Sequence, residues 1–282
     1  MNVSMQLRSA ASTRAGGRHE ENQDAIYHLT QAHAAGSDVG LYIVCDGMGG
    51  HEAGEEASKL ALKSAVDALA EPLLVQAPRN GEVVWHKLVY EAVQAANKAV
   101  WEASQERANK MGSTIVLAAV TDGIAYVGSV GDSRAYGCRD GQATRITRDH
   151  SMAAALADIN EIAEEEVATH PRNNLLWRAL GQEATVDVDL FRWMLQDGDR
   201  LLLCSDGLWK ALPDPAELGA ALNAPSPPEE IAQHLVRGAI ERDGSDDASA
   251  VVVQVRALGV AGAAVQQAEV SLEQEQVAAV PA

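Results

Sequence analysis

Four short acidic segments lie far apart along this chain: Glu-Asn-Gln-Asp at 21–24, Cys-Asp-Gly-Met-Gly-Gly at 45–50, Cys-Ser-Asp-Gly at 204–207 and Gly-Ser-Asp-Asp at 244–247. In three of them an apolar run ends in, or soon meets, an aspartate. Leu41-Tyr42-Ile43-Val44-Cys45 precedes Asp46, Leu201-Leu202-Leu203-Cys204 precedes Ser205-Asp206, and Asp246-Asp247 comes just before Ala250-Val251-Val252-Val253. A strand end is a rigid place for a carboxylate. Several carboxylates gathered at one end of a sheet repel one another unless cations sit between them. Hard oxygen donors of this kind suit magnesium, manganese or calcium better than zinc.

The rest of the composition narrows the class. Hydrophobic residues are 47% of the 282, enough for a sizeable core, while aromatics are 4% with one Phe, so the core rests on Val, Leu, Ile and Ala. Lys and Arg number 22 against 40 Asp and Glu, a formal charge of −18. That balance argues against nucleic-acid binding and against docking on anionic membranes, both of which need positive surface. The three cysteines, Cys45, Cys138 and Cys204, form no CxxC pair. An odd count offers no disulfide framework, and buried free thiols are expected. Residues 1–20 hold no signal-peptide apolar core, and no run approaches the ~20 apolar residues that span a bilayer. The expectation is a cytoplasmic protein without membrane insertion.

The elements that must position the aspartates can be read in outline. Residues 40–45 read as a buried strand. A helix follows over 51–70 with Leu62, Val66 and Leu69 on one face, and a longer one over 82–108 with Leu88, Ala92, Ala95 and Ala99 aligned. Pro72, Pro78 and Asn80-Gly81 mark 71–81 as a loop. Thr121-Asp122-Gly123 between two apolar runs reads as a hairpin, and Arg139-Asp140-Gly141-Gln142 as a second turn of the same kind. Successive hairpins mean antiparallel sheet, which needs a second layer or helical cover. Residues 150–180 interrupt the strands with two short helical stretches. Strands resume at 186–194 and 199–204, a helix runs over 228–241, and a last strand covers 249–256. Residues 258–282 read as a flexible tail.

The ordered motifs then resemble a known family. Asn22-Gln23-Asp24, Asp46-Gly47-Met48-Gly49-Gly50, Gly112-Ser113-Thr114, Gly131-Asp132-Ser133-Arg134, Arg148-Asp149-His150-Ser151, His170-Pro171-Arg172-Asn173, Ala179-Leu180-Gly181, Ser205-Asp206-Gly207 and Asp246-Asp247-Ala248-Ser249 follow the order and similar spacing of the metal-dependent Ser/Thr protein phosphatases of type 2C, in their compact bacterial form. Each motif alone is weak; the ordered set is specific. The resemblance implies an α+β fold, a four-layer α-β-β-α sandwich of two antiparallel sheets flanked by helices. It implies a phosphatase domain over 1–257 whose flap is the insertion at about 150–180.

It also implies roles. Asp46 bridges two metals, Mn2+ or Mg2+; Asp206 and Asp246 complete one, and the Gly47 carbonyl and, through water, Asp24 serve the other. A hydroxide held between two cations attacks the phosphorus in line, with no phosphoenzyme. Asp46, Asp206 and Asp246 are thus the catalytic set, and the cysteines are not nucleophiles. Asp132 faces a third, weaker cation position. The family's companion ligand there often stands four residues after the Asp206 position, where this chain has Lys210; the third ion is loosely held or uses Asp149 instead. The family's phosphate-clamping Arg falls at His19, with Arg18 one residue earlier, so either Arg18 reaches the phosphate or His19 takes a weaker role. Asp247 replaces an Asn and adds charge beside Asp246. The implied partners are phosphorylated proteins, a Ser/Thr kinase and its substrates, with the enzyme a monomer. Two other classes stay open from the sequence: a catalytically weak phosphatase-like binding module, and a two-metal hydrolase of small phosphoesters.

Overall fold

The computed structural model describes residues 4–17, 21–32, 36–49, 53–76, 84–107 and 111–258. In chain order the elements are β1 (Ser4–Arg14), β2 (Asp24–Gln31), β3 (Val39–Met48), α1 (Ala53–Glu71), α2 (Trp85–Arg107), β4 (Gly112–Ser113), β5 (Ile115–Thr121), β6 (Ile124–Val130), β7 (Arg134–Arg139), β8 (Gln142–Arg145), α3 (Met152–Asp158), β9 (Asp189–Met194), β10 (Arg200–Cys204), α4 (Asp206–Trp209), α5 (Pro215–Leu222), α6 (Pro228–Arg242) and β11 (Ala248–Leu258). One sheet has the order β1-β11-β10-β7-β8. The other has β2-β3-β5-β6-β9, with β4 attached to β3. Every strand pair is antiparallel.

The unbroken apolar runs follow from burial on both faces. In β3, Tyr42 and Val44 enter the interior between the sheets, where they meet Leu201, Leu203, Val251 and Val253. Leu41, Ile43 and Cys45 point the other way, into the layer beneath α1 and α2. β10 and β11 divide likewise. Leu202, Cys204, Ala250 and Val252 pack outward against Leu235, Val236 and Ala239 of α6. Period-2 alternation therefore separates two apolar layers rather than core from water. The result is the α-β-β-α sandwich.

Both hairpin turns take the conformation their sequence demands. Asp122 and Gly123 have φ of 51° and 74°, and Asp140 and Gly141 have 52° and 78°. Two successive positive φ values define the turn that matches the twist of a two-residue hairpin.

The helices correct the expected faces. On α1 the buried stripe is Ala57, Ala61, Ala65 and Leu69, with Leu62 and Val66 half-buried on its flank. On α2 it is Trp85, Val89, Ala92, Val93, Ala96 and Val100, while Leu88, Ala95 and Ala99 are half-buried. On α1, small residues let the helix come close, so the larger ones fill its sides. Nor is the whole of 71–81 a loop: α1 continues past Pro72 in a widened turn over Pro72–Gln76. In the insertion, the second helical stretch is a short 3-10 segment, Glu164–Thr169. Strand β9 begins three residues later than expected, at Asp189. The expected tail beyond 258 lies outside the described residues. Among the described residues, no helix is long and apolar enough to cross a membrane.

Candidate metal centre

The topology carries the separated aspartates to one end of the sandwich. β2 and β3 run antiparallel in a register that sets Asp24 opposite Asp46. Asp206 follows the end of β10, and Asp246 and Asp247 precede β11. Asp132 sits between β6 and β7. A cleft of ≈ 220 Å³ is lined by Asp46, Asp132, Asp206, Asp246 and Asp247, together with Gly47, Met48 and Asn174. Asp24 is buried behind Asp46, with relative exposure of 9%. A larger groove of ≈ 590 Å³ between α5 and α6 shares no lining residue with this cleft and gathers no comparable set of ionisable groups.

Local hydrogen bonds fix each carboxylate. The Asp46 N–H donates to Thr114 Oγ1 at 3.0 Å, and its carbonyl accepts from Thr114 N at 2.8 Å and Ser113 Oγ at 3.0 Å. Ser205 Oγ donates to Asp24 Oδ2 at 2.7 Å and accepts from Ser249 N at 3.0 Å. The indole Nε1–H of Trp209 donates to the Asp132 carbonyl at 2.9 Å. Gly47 lies so close to its neighbours that a Cβ there would fall 1.9 Å from the Gly54 carbonyl oxygen and 2.8 Å from that of Gln23. No other residue fits without moving backbone.

The electrostatics are those of a site built for cations. Burial raises the Asp46 carboxyl well above the usual carboxylate range, and the charges of Asp206, Asp24, Asp132 and Asp246 raise it further. Burial also raises Asp24 well above that range, against the opposing hydrogen bonds from Ser249 and Ser205. Burial, then the neighbouring charge of Asp206, pushes Asp132 up to about 8. Opposite charge nearby would reverse these shifts. The residues fit a hard divalent cation on three counts. The donors are all oxygens; Asp24 Oδ1 is buried with no hydrogen-bond partner in the structure; and Gly47 brings backbone to the cleft. Among the described residues no three His, Cys, Asp or Glu side chains close a cage by themselves. An open set of this kind suits Mg2+ or Mn2+, which keep several waters, better than a fully caged ion.

A pH dependence follows from these shifts. Between the ordinary 3.8 and the raised folded value near 8, Asp132 holds a proton in the metal-free fold that the unfolded chain has released. Stability of the metal-free chain therefore falls as pH rises through about 8. EDTA-treated protein is expected to melt higher at pH 6.5 than at pH 8.5, and Mg2+ to raise Tm more at pH 8.5. Equal Mg2+ stabilisation at both pH values would count against cation binding by these carboxylates.

Two expectations change. Asp149 is not available to a third cation: it is paired with Arg134, which donates from Nε at 2.9 Å and from an Nη at 2.6 Å. Asp247 is a clasp as well as a charge: its two oxygens accept from Gly16 N at 2.8 Å and Gln23 N at 2.6 Å. Those bonds tie down both flanks of the stretch that carries Arg18 and His19, which themselves lie outside the described residues. Cys45, Cys138 and Cys204 are buried free thiols, and burial raises the pKa of each. His150 is a structural residue. Its Nδ1 accepts from Gly131 N at 3.0 Å, and Nε2 faces Asp189 Oδ2 at 3.3 Å.

Residues that sequence reasoning missed are those of common type. Asn174 in the insertion carries no motif that points to the centre, and Ser205, although inside the Ser-Asp-Gly motif, gives no sign there that it holds Asp24. Lys210, which the sequence already places four residues after Asp206, stands one helical turn on. Its ammonium pairs with Asp206 Oδ2 and lies 3.7 Å from Asp132 Oδ2. Burial alone would lower its pKa, but Asp206 and Asp132 more than offset this and the net shift is upward.

Comparison with known proteins agrees with this geometry. The sequence profile described as Protein phosphatase 2C matches residues 13–237. The chain is 35% identical over 216 residues to "Serine/threonine phosphatase stp" of Listeria innocua, covering 76% of this chain and 84% of that protein. The crystal structure of the Mycobacterium tuberculosis serine/threonine phosphatase PstP/Ppp superposes with a TM-score of 0.74 at 33% identity, covering 89% of this chain and 99% of that one. The catalytic domain of serine threonine protein phosphatase PstP, in complex with 2 manganese ions, gives a TM-score of 0.74 at 30% identity, covering 90% and 100%.

Proposed function

This chain belongs to the protein phosphatase 2C family, and we propose that it hydrolyses phosphoserine and phosphothreonine monoesters on proteins with two divalent cations, Mn2+ or Mg2+, held in the aspartate cleft. The observation that carries this reading is the convergence of Asp46, Asp132, Asp206 and Asp246, from four separate parts of the chain, on one cleft. The cations supply an activated water and screen the charge of the phosphate dianion. Asp46, the central carboxylate, would be shared between the cations. Asp206 and Asp246 would hold one, the Gly47 carbonyl would hold the other, and Asp24, fixed by Ser205, would support it through water. The anion is received at residues 18 and 19, by Arg18 or by His19. Direct attack leaves no covalent enzyme intermediate, consistent with cysteines whose pKa burial has raised.

The substrates are phosphorylated proteins, and the enzyme acts in the cytoplasm as a monomer against a bacterial Ser/Thr kinase and its targets. Residues 1–257 form the phosphatase unit, with 258–282 as a tail. Phosphate release from a phosphothreonine peptide and from para-nitrophenyl phosphate tests the reading. Turnover is expected with Mn2+ or Mg2+ and is expected to stop in EDTA. Phosphopeptide binding without phosphate release under either metal would overturn it in favour of a binding module. Turnover of the aryl phosphate alone would favour a small-phosphoester hydrolase.

A further inference from the structure

Lys210 is a charged side chain in an unusual place. Lysine is almost never fully buried unless it is paired, yet this side chain is 13% exposed. Its backbone N–H closes the turn of α4 on the Asp206 carbonyl at 2.9 Å, which directs the side chain back along the helix toward the cleft. Three oxygens surround the ammonium. It is ion-paired to Asp206 Oδ2, lies 3.7 Å from Asp132 Oδ2, and donates to Asn174 Oδ1 at 2.5 Å. Two of the ammonium's donors are used by Asp206 and Asn174, and Asp132 stands at ion-pair distance from the same nitrogen.

Asp132, on the connection from β6 to β7, and Asp206, at the start of α4 after β10, both line the cleft. With the lysine removed they are two buried carboxylates within reach of one point, a pair that a hard divalent cation would bridge. Asn174 belongs to the 150–180 insertion, lines the cleft with Leu176, and is bonded to the ammonium there. The insertion has other anchors: Met152 N bonds the Leu175 carbonyl at 2.8 Å, and Trp177 N bonds that of His150 at 2.9 Å. These fix the base of the segment, whereas the Lys210–Asn174 bond joins it to the carboxylates.

We propose that the Lys210 ammonium is a tethered cation that fills the space between Asp132 and Asp206, excludes one divalent ion from the centre, and latches the 150–180 insertion to it through Asn174. The inference rests on the reading of the cleft as a metal centre. It assigns Lys210 a positioning and charge-balancing role.

Manganese stoichiometry is the test, read by calorimetric titration and by metal analysis after gel filtration. Lys210→Gln removes the charge at similar size, and Lys210→Asp adds a donor. Both are expected to bind one more Mn2+ per chain than the wild type, more tightly in Lys210→Asp. Thermal unfolding with and without Mn2+ checks that each variant is folded. Hydrogen exchange over 150–180 is expected to rise by about an order of magnitude in both Lys210→Gln and Asn174→Ala, since each removes a charge-assisted hydrogen bond. If folded variants keep the wild-type manganese count, the exclusion is wrong; if exchange over 150–180 is unchanged, the latch is wrong. A wild type that binds no Mn2+ would overturn the metal-centre reading and this inference together, whereas equal binding in all three chains would overturn this inference alone.

Discussion

Asp46→Asn is expected to lower Mn2+-dependent phosphate release by at least about 10³-fold, equivalent to roughly 4 kcal/mol of barrier. The substitution keeps the shape and removes the charge. The backbone of residue 46 remains held by Thr114 and Ser113, so the strand end does not move. What is lost is the carboxylate placed opposite Asp24 that also feels the charges of Asp206, Asp24, Asp132 and Asp246. An amide has one acceptor oxygen and no charge, and it cannot serve two cations at once. Burial and four neighbouring aspartates oppose ionisation of Asp46, so its removal relieves the metal-free fold. EDTA-treated Asp46→Asn is therefore expected to melt above EDTA-treated wild type at pH 8, and the Tm gain on adding Mn2+ to shrink. The two readouts separate chemistry from folding: activity falls while metal-free stability rises. Wild-type turnover in the variant would remove Asp46 from the reaction altogether.

The acidic centre was legible because its chemistry tolerates few residue types. Hard-cation donors at strand ends are aspartates, and Asp46, Asp206 and Asp246 each lie next to an apolar run that burial on both faces leaves without alternation, as in β3 and β10. The hairpins were legible for a similarly narrow reason, since Asp122-Gly123 and Asp140-Gly141 supply positive φ in succession. Strands β1 and β2 were not. Each lies at one edge of its sheet, and in β1 Ser-Met-Gln-Leu-Arg-Ser-Ala-Ala-Ser-Thr-Arg keeps only Leu7 and Ala10 buried. An edge strand half open to water carries too weak a pattern to separate it from a loop. The helix faces slipped for the opposite reason. On α1 periodicity favoured the bulky Leu62 and Val66, while packing density favoured Ala57, Ala61 and Ala65 against the sheet. Around the site, Asn174 and Ser205 gain their meaning only from tertiary neighbours. The same holds for Asp149, whose motif position suggested a ligand until Arg134 was found on both of its oxygens.

That Arg134–Asp149 pair carries the largest expected effect on stability. Both side chains are buried, at 8% and 0% exposure. The guanidinium also donates to Tyr136 Oη at 2.9 Å and lies 3.4 Å from the centroid of the Trp209 ring. Arg134→Met is expected to cost about 3–5 kcal/mol, because it removes the bidentate partner of a buried carboxylate and leaves it the more distant Arg145, 3.8 Å away. For a chain of this size that is a fall in Tm on the order of 10 °C. Removing both charges is a different case. Arg134→Met combined with Asp149→Leu leaves neither partner uncompensated, and the double variant is expected to recover most of the loss. Denaturant unfolding of the two singles and the double measures the coupling directly. A single-variant cost below about 1 kcal/mol, or a double no better than the singles, would mean the pair is not held as described. The effect reaches the cleft through Trp209. Its ring stacks on Arg134, its indole N–H holds the Asp132 carbonyl, and it lies next to Lys210 in sequence. Arg134→Met is therefore expected to weaken Mn2+ binding as well as stability, although Arg134 does not line the cleft. The double variant, which restores the charge balance but not the stacked guanidinium, is expected to regain stability more fully than metal affinity. The buried ion pair thus supports the fold, and the tryptophan laid against it supports the carboxylate.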